Sequence, residues 1–236
     1  MDRKKWMVRA LAVMAVLLIS GQALGQELTV EGHLLGVSTN DEGYIGVMGD
    51  RGSAGTGVLV GYELEQVEDL RLVATFGSDG QTGRRFGGDL ESQFSRTRVM
   101  VGADYGPGFF HGRVRPLGRV TMGYAGQSLV LEADGESYRD QAHGFSAFAG
   151  AGVELAIGSG PVDRENFWSR LSVGGSFLMG YLWQSSARFD EMSSTTAPAE
   201  PTEEDPWIRG SYDAGTMQMS GLAWTLGAVI RYRFGK

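Results

Sequence analysis

The chain has 236 residues, a formal net charge of −7 and no cysteine. The lack of cysteine excludes disulfides and thiolate chemistry, and the acidic balance argues against a nucleic-acid partner. The length suits one domain. The 37 glycines and the mean hydropathy of −0.14 fit a chain with many tight turns and a narrow, crowded interior.

The first 25 residues predict a cleaved signal peptide. A basic start at residues 2–9 leads into the apolar run 10–19, which is too short to cross a membrane as a helix. Small residues at 23–25 match the positions that a signal peptidase reads, so we place the cut before Gln26; the alternative is an uncleaved anchor helix. Residues 26–236 contain no apolar run of helix length. If they span a membrane, they must do so as a closed barrel.

Alternation of apolar and polar residues predicts eight strands. Their approximate ranges are 28–37, 55–64, 70–76, 92–105, 113–125, 143–157, 168–184 and 219–234. Connections after strands one, three, five and seven are long, at about 38–54, 77–91, 126–142 and 185–217, whereas the other connections are shorter. Long external loops alternating with short periplasmic turns are typical of outer-membrane barrels. We therefore expect both termini on the periplasmic side.

The last strand has the clearest pattern. Every second side chain is apolar or aromatic, and the interleaved residues are small or charged. The apolar face is long enough to cross a bilayer, which takes about 9–11 tilted residues, and its aromatics near both ends suit the two membrane interfaces. The residues expected to face lipid are Leu222, Trp224, Leu226, Ala228, Ile230, Tyr232 and Phe234.

With its signal peptide, eight strands, alternating loop lengths and final Tyr232-x-Phe234, the chain resembles the OmpA/OmpX-like outer-membrane β-barrels of Gram-negative bacteria. The resemblance implies an all-β fold, an eight-stranded antiparallel up-and-down transmembrane barrel in the cell outer membrane. It also implies outer-membrane lipid and lipopolysaccharide as partners, the barrel-assembly machinery during biogenesis, and a monomer. Family members usually end on the final aromatic, whereas Gly235 and Lys236 follow it here.

Charged residues on the opposite faces of the strands would point into the barrel. An eight-stranded barrel is just wide enough to be filled by side chains, so charges there must pair or find water. We expect an ion-pair network that plugs the lumen; the alternative is a selective small pore or a proton path. The expected members are Glu31, Glu63, Arg71, Arg96, Arg98, Asp104, Arg119, Glu154, Arg231 and Arg233.

The sequence predicts no catalytic, cofactor or metal site. His33, His111 and His143 show neither H-x-x-x-H nor HExxH spacing. Some eight-stranded barrels modify lipid A, a reaction that needs a Ser/His pair with an acidic residue to orient it. The candidates for such a scheme are His33 with Glu31, or His143 with Ser146.

The longest loop contains a Ser/Thr/Pro/acidic tract at 193–206 that lacks core-forming residues. It is either a solvated loop or a surface contact, for adhesion or for a divalent ion such as Ca²⁺. The sequence thus predicts a non-enzymatic protein with a structural or surface-interaction role, anchored in lipid by its barrel. The alternatives are a lipid A-modifying enzyme, a small pore, and a secreted soluble barrel that binds an apolar ligand inside.

Overall fold

The computed structural model describes residues 25–85, 90–110, 112–133, 136–157, 170–189, 193–194 and 214–234. The predictions for residues 1–24, for His111 and for most of the tract 193–206 lie outside these ranges. The signal peptide therefore remains a prediction.

The described chain consists of long strands with a few short elements between them. In chain order these are β1 (Gly25–Thr39), α1 (Glu42–Met48), β2 (Gly52–Leu64), β3 (Leu70–Arg85), β4 (Leu90–Tyr105), β5 (Val114–Ala133), β6 (Glu136–Ile157), β7 (Leu171–Gln184), β8 (Ala187–Phe189), β9 (Ser193–Ser194), β10 (Gly215–Met217) and β11 (Gly221–Arg233). Within the described ranges, no helix is both long and apolar enough to cross a membrane.

Eight antiparallel strands close into a barrel. Each strand from β1 to β6 pairs with the next, β7 pairs with β11, and β11 pairs back with β1, where Val30 lies opposite Ile230. At the level of the apolar band, closure leaves no open edge, which is the condition for β-structure in lipid. The predicted eight-stranded up-and-down transmembrane barrel is confirmed. We call the end where β1 begins and β11 ends the lower end, and the opposite end the upper end.

The outer face of the barrel is apolar. On β11, Leu222, Leu226 and Ile230 are 49–62% exposed. Phe234 follows the strand, with its ring centroid 5.2 Å from that of Tyr232. From Leu222 to Tyr232 the strand rises about 33 Å, and a tilt of about 40° reduces this to about 25 Å, the usual height of the apolar band in such barrels. A soluble barrel with an apolar ligand pocket would need the opposite arrangement.

Several strands are longer than predicted, most of all β3, β5 and β6. β3 and β4 extend to Arg85 and Leu90, and β5 and β6 extend to Ala133 and Glu136. The loops predicted at 77–91 and 126–142 are therefore largely strand. The bounds of β3, β5 and β6 were wrong because the prediction ended these strands near the point where their outward residues stop being apolar.

Above the apolar band, these four strands exchange the polarity of their two faces. Outward residues such as Ser78 and Gln93 are polar and exposed, whereas inward residues such as Phe94 and Leu129 are buried. Apolar side chains inside and polar side chains outside suit a sheet surrounded by water. The upper part of the barrel therefore projects beyond the band that faces lipid.

Two other predicted loops contain short elements. In loop 38–54, α1 begins after Asp41, whose side chain accepts a hydrogen bond of 2.7 Å from the Tyr44 amide. The helix ends at Gly49, which adopts the left-handed conformation (φ 82°) that favours glycine. In loop 185–217, β8 pairs with β10, and β9 pairs with β6.

Replacing Leu226, near the middle of the apolar band, with arginine should destabilise the folded barrel by about 2–4 kcal/mol, because the charge would face hydrocarbon. The measurement is denaturant unfolding of protein folded into phospholipid vesicles. The control is Gln93→Arg, an outward position above the band, which should change stability by less than about 1 kcal/mol. Equal stability of the two variants would contradict the assignment of the lipid-facing band.

Candidate functional site

The lower half of the lumen contains a group of buried ion pairs, which we call the lower network. At its centre, Asp104 accepts a hydrogen bond of 2.8 Å from Arg71 Nη2 and another of 2.8 Å from Arg119 Nε. Arg119 also donates to Glu31 at 3.0 Å, and Arg71 donates to the Thr29 hydroxyl at 2.9 Å. The charged side chains are at most 3% exposed. Each guanidinium thus bonds to more than one acceptor.

The lower network continues towards the lower rim. Glu154 lies 3.4 Å from Arg71 Nη2 and also pairs with Arg231. Arg231 Nε lies 3.6 Å from Glu27, which accepts a further bond of 3.3 Å from Arg233. The Arg233 side chain is 54% exposed, so it closes the network at the rim and does not fill the lumen.

A second group of ion pairs, the upper cluster, lies higher in the lumen. Asp79 accepts hydrogen bonds from Arg96 (2.6 and 3.1 Å), from Arg98 (2.7 Å) and from the Ser53 hydroxyl (2.6 Å). Arg96 also donates to the Gln184 amide oxygen at 2.6 Å. Two arginines therefore share one carboxylate.

Three charged residues of these networks were missed by the sequence analysis: Glu27, Asp79 and Arg115. Arg115 lies 3.4 Å from Glu63, one of the expected members, and 3.9 Å from Glu27. All three stand in the same alternating phase as inward residues that were recognised; Asp79, for example, follows Arg71 by eight positions. The phase of the alternation could have found them.

Above the upper cluster, an apolar core, which we call the cap, fills the upper end. The Tyr44 ring packs edge-on against Phe94, with centroids 5.5 Å apart, and its hydroxyl donates to Gln81 at 2.7 Å. Burial raises the pKa of Tyr44 above its usual range. The buried members, all 2% exposed or less, are Tyr44, Met48, Phe94, Leu129, Leu131, Ala187, Phe189, Met217 and Met219.

The pairs proposed for lipid A chemistry are placed differently from each other. His33 Nδ1 lies 3.5 Å from Glu31 Oε1 inside the barrel, where it has no hydrogen-bond partner among the described residues. His143 is exposed on the outer face and bonds to the Tyr124 hydroxyl at 2.5 Å, whereas Ser146 is fully buried. Residues three apart on a strand point to opposite faces. The structure therefore does not bring His143 and Ser146 together.

The features above define an eight-stranded transmembrane β-barrel with an ion-paired lumen and an apolar cap. Within the described ranges, no group of three or more His, Cys, Asp or Glu residues could hold a metal ion. The acidic residues 200–205 lie outside those ranges, so the suggested Ca²⁺ contact remains a prediction.

Comparison with known proteins returns distant structural likenesses. No protein-family model and no curated protein matches the chain. Ail, the attachment invasion locus protein of Yersinia pestis, is 13% identical with a TM-score of 0.49, covering 89% of this chain and 100% of that one. A major outer membrane protein of Thermus thermophilus is 14% identical (TM-score 0.45; 89% and 100% covered). OprG of Pseudomonas aeruginosa is 8% identical (TM-score 0.43; 90% and 98%). At these scores the likenesses assign neither family nor function.

Replacing Asp104 with asparagine should destabilise the barrel by about 3–5 kcal/mol, because Arg71 and Arg119 would lose a shared buried partner. The measurement is urea unfolding in detergent micelles or vesicles. The control is Glu91→Gln, which removes the same charge from an exposed ion pair with Arg84 and should cost about 0–1 kcal/mol. A similar loss in both variants would contradict a stabilising role for the lower network.

Proposed function

We propose that the protein is a non-conducting outer-membrane anchor with a structural or surface-interaction role. The observation that carries the proposal is the obstructed lumen: the lower network and the upper cluster lie across it, and the apolar cap covers the upper end. Its working surface would then be the outside of the upper end, where the extended strands and the long loops meet water.

The filling of the lumen supports a closed barrel. Asp104 and Asp79 are each held by two arginines, and a through-path for ions would require separating these buried pairs. Separating a buried pair leaves uncompensated charge, which costs several kcal/mol. Nine buried side chains of the cap then block the same axis. The small pore is therefore the less favoured alternative.

The shape of the upper end supports a contact role. The hairpins β3–β4 and β5–β6 rise above the apolar band and carry polar outer faces. Helix α1 and the β8–β10 ribbon pack inside them, so Tyr44, Phe189 and Met217 share one core. A platform with its own core holds surrounding loops in fixed positions, and loops on a rigid scaffold commonly carry binding functions.

The location in the outer membrane is supported by the closed barrel, by the height of the apolar band and by the predicted signal peptide. Outer-membrane lipid and lipopolysaccharide would then surround the band, and the barrel-assembly machinery would insert the chain. Heat-modifiability on gels together with membrane fractionation tests this location. We expect the unboiled protein to shift in gel mobility and to fractionate with the outer membrane, whereas a soluble periplasmic protein without a shift would contradict the proposal.

Protein inserted into planar bilayers should show no steady single-channel conductance, because both the charged lumen and the cap obstruct the axis. A porin of known conductance serves as the positive control for insertion and recording. Insertion is verified separately by protease protection of the barrel. A large, steady conductance from verified insertions would overturn the closed-lumen proposal.

Deleting residues 193–206 should leave the barrel folded, because within this segment the described strand β9 pairs only with Tyr138 and Arg139 near the top of β6. A strain lacking the protein is complemented with the full chain or with the deletion. Heat-modifiability shows whether the barrel is folded. Sensitivity of the cells to detergent reports the integrity of the outer membrane, and adhesion of the cells to surfaces reports contact. If the deletion variant folds and restores detergent resistance but not adhesion, the tract 193–206 is the contact surface. If the strain without the protein changes in neither property, the proposed role is wrong.

A further inference from the structure

We propose that the middle of the lumen binds one small monovalent anion, of the size and charge of chloride, with Arg98 as its principal ligand. This inference does not depend on a surface role for the protein. It follows from a cavity, from the side chains that line it, and from the unequal charges of the upper cluster.

The cavity lies between the lower network and the upper cluster and has a volume of about 40 Å³. A water molecule needs about 10–15 Å³ by the same measure, so the space suits one halide ion with one or two waters. The apolar part of the lining includes Leu35, Phe148 and Leu182. The polar lining residues are His33, Thr75, Arg98, Arg119, Thr121 and Thr225. None of the described lining residues is a carboxylate.

The charges of the upper cluster do not balance. Among the described residues, Asp79 is the one carboxylate bound by both Arg96 and Arg98. Arg96 completes its bonds with neutral acceptors, the Gln184 side chain at 2.6 Å and the Met219 carbonyl at 3.4 Å. These neutral acceptors satisfy hydrogen bonds, so the upper cluster carries one positive charge more than its described carboxylate compensates. A buried, uncompensated charge is costly, and an anion in the adjacent cavity would compensate it.

Arg98 is the residue with capacity to bind that anion. It is 3% exposed and donates from Nη2 to Asp79, while its buried Nε has no hydrogen-bond partner among the described residues. The hydroxyls of Thr75 and Thr225, on the same cavity wall, also have no partner there. A guanidinium N–H and two hydroxyls can all donate. They form a donor set suited to an anion.

The other arginine of the cavity wall has a different role. Arg119 already donates to Asp104 and Glu31 with both Nε and Nη2. It adds positive potential to the cavity without being the obvious ligand. With two guanidinium groups in the wall, a metal cation is disfavoured. Water alone would fill the space and satisfy the hydroxyls but would leave the excess charge in place.

The test is crystallisation of the full chain, folded into detergent, in bromide instead of chloride. Anomalous scattering at the bromine edge should show one peak in the cavity beside Arg98. A second measurement compares melting temperatures in chloride and in gluconate at equal ionic strength. We expect a higher melting temperature in chloride, because a ligand that binds only the folded state stabilises it.

Arg98→Met should remove both the bromide peak and the chloride-specific shift, while Asp79 keeps Arg96 as its partner. The matched control is Arg84→Met, which removes an exposed arginine outside the lumen and should leave both readouts unchanged. Thr225→Val should weaken halide binding by about tenfold, the value of one hydrogen bond to a charged group. A wild-type cavity that holds water without an anomalous peak, or a chloride shift that survives Arg98→Met, would overturn the proposal.

Discussion

The structure depends on one constraint: in lipid, each backbone N–H and C=O group must find its partner within the protein. The pairing of β1 with β11 meets this constraint by closing the sheet at the level of the apolar band. Closure with eight strands makes the interior narrow enough for side chains to fill. The charged lumen follows from the same geometry, because the outward positions are reserved for apolar residues and polar residues must point inward.

Arginine is the cation throughout this lumen, and the three lysines of the chain stand at positions 4, 5 and 236. A planar guanidinium can bond to two acceptors in fixed directions, whereas an ammonium is a compact point charge. Arg71 uses this property to join Asp104, Glu154 and Thr29, which come from three different strands. Such side-chain interactions can connect strands that are not neighbours in the sheet, whereas backbone hydrogen bonds connect only neighbouring strands. The lower network therefore supports the shape of the barrel as well as neutralising its charges.

The sequence predicted the eight strands, because alternation with period two is a local property, and it assigned the lipid-facing residues and the inward charges from the same alternation. It failed where two local signals disagreed. After Phe76, the Gly-Ser-Asp-Gly segment has the composition of a turn, yet Asp79 keeps the inward phase and anchors the upper cluster. Helix α1 has seven residues, too few for a clear helical period. Its position depends on contacts of Tyr44 with Gln81 and Phe94, which are distant in the sequence.

Strands β3, β4, β5 and β6 pass from lipid into water, and the residues that line the lumen change at the same level. In the lipid-facing part, charges lie inside and apolar residues outside; above the band, Phe94 and Leu129 lie inside. The change from one interior to the other takes place around the upper cluster, where the buried polar residues include uncharged side chains such as Ser53, Gln127 and Gln184. Asp79 is consequently the shared carboxylate for Arg96 and Arg98 at this level, and the cavity opens directly below. The unequal charge and the cavity are thus two consequences of one transition, which is why we assign the anion to this level of the barrel.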